Sequence, residues 1–163
     1  MAPAFAGNGV RSWSLDGGLL LLHLNNTLDA VEDGRQCLVA FCERHAVPAK
    51  TANRLEVIFE ELVSNVLRHG FGARSDQSIR VRLAFGAGLV ELTVEDDGVP
   101  FDPLADVAET GFRSLETARV GGLGIPLVVK LSASARYEPG DGARPAAHAG
   151  FWPHNRLTVT LDA

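Results

Sequence analysis

Two hydrophobic periods divide the chain. From Arg54 to Gly70, Leu55, Ile58, Phe59, Leu62 and Val66 recur every three or four residues, the apolar stripe of one helix that Gly70 ends. Pro48 suits the first turn of that helix. A preceding helix to about His45 carries Leu28, Val31, Leu38, Val39 and Phe41, with Asn25, Asn26 and Thr27 as candidate caps. Then the period falls to two. Ile79, Val81, Leu83 and Phe85 alternate with Arg80, Arg82 and Ala84, as on a strand with one wet face. Gly86-Ala-Gly88 predicts a tight hairpin turn, and Leu89 to Glu95 the return strand, with Leu92 and Val94 on one face.

The flanking segments complete the order. Leu15 to Leu24 predicts a first strand at a sheet edge, after a flexible N-terminus over residues 1–14. Asp96-Asp-Gly-Val-Pro-Phe-Asp-Pro103 cannot continue a strand. Leu104 to Val120 is weakly periodic and predicts a long loop of the kind that forms functional lids. Gly121-Gly-Leu-Gly124 opens a helix from about Ile125 to Leu131, with Pro126 tolerated in its first turn. Ser134 to Tyr137 reads as a short strand and Glu138 to His154 as a Pro/Gly/Ala-rich hairpin loop. Asn155 to Leu161 closes the order, Leu157, Val159 and Leu161 alternating with Thr158 and Thr160. The predicted fold is an α/β (α+β) two-layer sandwich: helices on one face of a mixed, mostly antiparallel sheet, in one domain over residues 15–163.

Composition narrows the classes. With 163 residues, 46% of them apolar, the chain has enough material for one core. A net charge of -5 without a Lys/Arg run argues against a nucleic-acid partner. Cys37 and Cys42 fit neither a disulfide framework nor a zinc motif. The run Leu19 to Leu22 is too short to cross a bilayer, and no signal core precedes it; the expectation is a soluble cytoplasmic protein with no membrane partner.

Candidate chemistry sits at three places. At roughly 100° per residue, Glu61, Asn65 and His69 form a row on the edge of the apolar stripe, while Glu60 points away. Half-buried polar groups there need partners. Asp96-x-Gly98 stands at a strand end, and Gly121-Gly-x-Gly124 opens a helix. Each alone has an ordinary structural reading, as chance spacing, a turn or a cap.

In this order the three resemble the GHKL ATPases, and within them the small bacterial anti-sigma factor/serine kinase family. The carriers are Glu61-Leu-Val-Ser-Asn65-Val-Leu-Arg-His69-Gly70, Asp96-Asp-Gly-Val-Pro-Phe-Asp-Pro103, Gly121-Gly-Leu-Gly-Ile-Pro-Leu127 and the closing Asn155-Arg-Leu-Thr-Val-Thr160. The resemblance implies ATP and magnesium as cofactors. Asp96 would accept the adenine amino group, with Gly98 letting the base approach the backbone. Asn65 would offer its amide oxygen to magnesium. The Gly122 and Gly124 amides would face the phosphates, and Thr158 would help hold adenine through water. Glu61 would be the catalytic base that orients an attacking hydroxyl. His69 reads as structural.

The implied activity is a serine/threonine protein kinase that phosphorylates an anti-sigma-factor antagonist, with a sigma factor or that antagonist as partner; the resemblance also admits a homodimer. The alternative is a nucleotide-binding regulator that sequesters a partner without phosphorylating it. Two features depart from the pattern: Pro100 stands where a second glycine is usual, and the loop Gly140 to His154 is long. Its Phe151 and Trp152 either pack on the sheet edge, the favoured reading, or offer a partner surface. A full histidine kinase, gyrase or chaperone needs segments not found in these residues.

Overall fold

The computed structural model describes residues 8–70, 77–105, 107, 124–140, 151 and 153–163. Their elements are β1 (Val10–Asp16), β2 (Leu19–Asn25), α1 (Asp29–Arg44), α2 (Ala49–Asn65) continued by a π turn (Val66–Gly70), β3 (Ser78–Gly86), β4 (Leu89–Asp96), α3 (Gly124–Leu131), β5 (Ser134–Pro139) and β6 (Asn155–Asp162). One six-stranded sheet runs β1-β2-β3-β4-β6-β5. All five described pairings are antiparallel, so the expected mixed character is absent among them. Two helices between β2 and β3 explain part of this. They carry the chain up and back, so β3 starts at the end where β2 finished.

The N-terminal expectation needs correction. Leu15 to Leu24 is not one strand but the end of β1, a tight turn and most of β2, with Leu15 opposite Leu20 and Asp16 opposite Leu19. Gly17 turns it at φ +52°. The ordered domain thus reaches back into residues 1–14: β1 begins at Val10, and Gly9 O accepts from Asn25 N at 2.8 Å. Nor do the cap candidates cap α1 with a side chain, because Leu28 occupies that position. Asn25 instead braces the hairpin, accepting from Arg11 Nε at 3.0 Å and donating to Asn8 O at 2.7 Å. The helix of the Glu61 row starts at Ala49, directly behind Pro48, where the sequence placed its first turn. Ala87 and Gly88 take the positive φ that the β3–β4 hairpin turn needs.

Strand alternation decides what meets the helices. Leu20, Leu22 and Leu24 of β2, Ile79, Val81 and Leu83 of β3, Val90, Leu92 and Val94 of β4, and Leu157, Val159 and Leu161 of β6 form the buried floor. Leu38, Phe41, Leu55, Ile58, Phe59, Leu62, Val63 and Val128 cover it. Burying such side chains stabilises by about 1.5–3 kcal/mol each before entropy is counted. The two inward rows end on polar residues at one end of the sheet, Asp96 on β4 and Asn155 on β6, which pair across the strands. The opposite face is charged, with exposed pairs such as Arg82–Glu91 at 2.6 Å. Among the described residues no helix is long and apolar enough to cross a membrane.

Candidate functional site

Asp96 closes the floor of a cleft between the end of α2 and the sheet, a cleft also lined by Asn65, His69, Val99, Tyr137 and Asn155. The carboxylate is 5% exposed. Its Oδ1 accepts from Gly98 N at 2.9 Å and from Asn155 Nδ2 at 2.9 Å. Burial pushes the Asp96 carboxyl above its ordinary value, against the lowering effect of those two hydrogen bonds. Among the described residues Oδ2 makes no hydrogen bond. Asp96 is therefore a buried carboxyl group on the cleft wall with one oxygen committed to two donors.

The loop after β4 is tied down on both sides. Val99 N donates to Gly70 O at 2.8 Å, and His154 Nδ1 donates to Gly98 O at 2.8 Å. A Cβ on Gly98 would run into the Gly70 carbonyl. Gly98 is thus required by the end of α2, a structural reason separate from any approach of a base. Asp97 faces elsewhere and accepts from Ser78 N at 3.2 Å.

The expected row on α2 is only partly kept. Asn65 ends the α-helix half-buried, and Val66–Gly70 then widens into a π turn, a local feature often found at functional sites. His69 lies exposed on the cleft rim. Glu61, one turn before Asn65, is half-buried and rests against Gly124, where a Cβ would enter the carboxylate. Gly124 is the first residue of α3. The Glu-Asn helix and the glycine-opened helix, far apart in sequence, therefore meet at this point. Gly122, the rest of the glycine motif, nearly all of the expected lid and Trp152 lie outside the described residues.

Thr158 is not brought to the site. It sits one residue off the inward row of β6, on the face away from the helices, with its Oγ1 3.2 Å from that of Thr93. Asn155 takes the place on the Asp96 side that the sequence reading gave to Thr158. Phe151 packs on the face of the sheet away from the helices, not on its edge. The Arg80 guanidinium lies 4.2 Å from its ring centroid, and the His23 ring meets it edge-on at 6.2 Å.

The sequence profile described as the histidine kinase-like ATPase domain matches residues 24–144. The chain belongs to that family. Two curated proteins similar to this histidine kinase-like ATPase domain carry kinase names. The serine/threonine-protein kinase BtrW of Bordetella bronchiseptica is 26% identical over 84% of this chain and 90% of its own. The serine-protein kinase RsbW of Listeria monocytogenes is 27% identical over 69% of this chain and 74% of its own. Among solved structures, the histidine kinase domain of a blue-light activated histidine kinase from Erythrobacter litoralis aligns with a TM-score of 0.48 at 17% identity, over 91% of this chain and 69% of that one.

Proposed function

We propose that this histidine kinase-like ATPase domain is an ATP-dependent serine-protein kinase of an anti-sigma-type switch, acting on a serine of an antagonist protein. The observation that carries the reading is Asp96: a buried carboxyl group with Oδ1 filled by two donors, on the wall of a cleft that Asn65 also lines. An ionised carboxylate only accepts, so it suits the exocyclic amino group of adenine. Gly98 keeps the loop close against Gly70, and the Gly122 and Gly124 amides would meet the phosphates beyond it.

Magnesium is commonly held by one or two protein oxygens and the phosphates it accompanies. Asn65 would supply the protein oxygen; the ion, when bound, neutralises phosphate charge. Glu61 would orient the attacking serine hydroxyl and accept its proton; the serine oxygen would bond the γ-phosphorus of ATP as the bond from that phosphorus to the ADP oxygen breaks, with ADP as the leaving group. The kinase names of the two similar proteins support this reading. Sigma factor and antagonist are its expected partners, and the cytoplasm is its expected location.

The test uses γ-labelled ATP with antagonist candidates. Wild type should transfer label to a serine. Glu61→Ala should keep nucleotide and partner affinity while the rate drops about 10²–10⁴-fold. A wild-type protein that binds ATP and a sigma factor but labels no candidate is a passive regulator instead.

A further inference from the structure

We infer that Asn155 and Tyr137 are positioning residues that hold Asp96 in one orientation and so make the cleft select a 6-amino over a 6-oxo purine. The inference rests on the nucleotide reading and deepens it.

Asn155 has no freedom to turn its amide. Its Oδ1 accepts from Phe101 N at 2.9 Å and from the Tyr137 hydroxyl at 2.8 Å. Its Nδ2 donates to Val99 O at 3.0 Å and to Asp96 Oδ1 at 2.9 Å. Two of these four partners are backbone groups of fixed polarity. Exchanging O and N would set amide N–H against N–H at Phe101 and oxygen against oxygen at Val99. A donor therefore always faces Asp96 Oδ1. With Gly98 N, it places two donors on that one oxygen. Tyr137, from the edge strand β5, supplies the second donor that fills the Asn155 oxygen.

The consequence is chemical selection. A carboxylate free to rotate could meet the amino group of a 6-amino purine or swing to the ring N–H of a 6-oxo purine. Held by Asn155, Asp96 offers one oxygen in one direction, and a 6-oxo purine would oppose an acceptor with an acceptor. Asn155 and Asp96 are opposite partners on β6 and β4, so the sheet register itself sets this alignment.

Calorimetric titration of ADP and of inosine diphosphate against wild type, Tyr137→Phe and Asn155→Ala tests the inference. Wild type should prefer ADP. Tyr137→Phe should weaken ADP binding about 2–10-fold, the usual effect of one lost hydrogen bond, and shrink the preference by a similar factor. Asn155→Ala should shrink it by about tenfold or more. Losses equal for both nucleotides would mean a structural role only and overturn the inference. So would a wild type that binds both equally. If Asn155→Ala does not fold by circular dichroism, the Tyr137→Phe preference decides. A wild type that binds neither nucleotide overturns the nucleotide reading itself, and this inference with it.

Discussion

On the proposed reading, Asp96 trades stability for recognition. Its carboxyl is raised above the ordinary value because burial outweighs the hydrogen bonds from Asn155 and Gly98. For a group whose folded pKa exceeds its unfolded one, the stabilising contribution is full below the unfolded value and is lost as pH rises through the folded value. Ionising Asp96 therefore costs stability. Asp96→Asn should remove that cost and flatten the change of melting temperature with pH, leaving it unchanged or higher where the wild-type carboxyl is ionised. The same variant should bind ADP at least about tenfold more weakly, because an amide can present a donor where an acceptor is needed. A lower melting temperature with unchanged ADP affinity would refute both halves. Thr158 gives the opposite expectation. It bonds to Thr93 on the far face, so Thr158→Val should alter stability by about 1 kcal/mol and leave ADP titrations unchanged. A weakened titration would return Thr158 to the site.

At the scale of elements, the contact between α2 and α3 is the testable feature. The atoms nearest to a Cβ at Gly124 are those of the Glu61 side chain. Gly124→Ala should therefore destabilise the wild-type background and be tolerated better beside Glu61→Ala. A denaturant double-mutant cycle should show a coupling of about 0.5–3 kcal/mol; additive effects would mean that the helices adjust independently. The helices, the β3–β4 hairpin and β6 were legible because their apolar positions keep a clean period of about 3.6 or 2. The β1–β2 hairpin was not. The unbroken Leu19 to Leu22 run hides the alternation, and only the fold shows Gly17 at positive φ. In the site, Glu61, Asn65 and Asp96 could be named from spacing, though their roles came from resemblance. Thr158 was assigned against the alternation, which already set it off the Leu157 row. The link of Asn155 to Asp96, and of Tyr137 to Asn155, is not legible in the sequence because the sheet brings these residues together, which no local pattern encodes.

Among the described residues both cysteines lie in the core. Cys37 and Cys42 are free, on the buried face of α1, and burial pushes their thiols up to about 12 and about 11. Little thiolate exists at neutral pH, so a thiol reagent should label them only when the core opens. ADP should slow that labelling further, by stabilising the folded state through mass action. Fast labelling that nucleotide does not change would show that α1 lifts away on its own. The sheet order carries one more consequence. β6 lies between β4 and β5, and its first residue, Asn155, follows its partner Asp96 by 59 positions. At ribosomal rates of about 5–20 residues per second, that interval is about 3–12 s. Throughout it a growing chain holds Asp96 without its amide partner, beside an unfilled gap in the sheet. On the proposed reading, ligand recognition is thus acquired late in the birth of the polypeptide, and cellular nucleotide would reward only those copies whose sheet has already been closed from within.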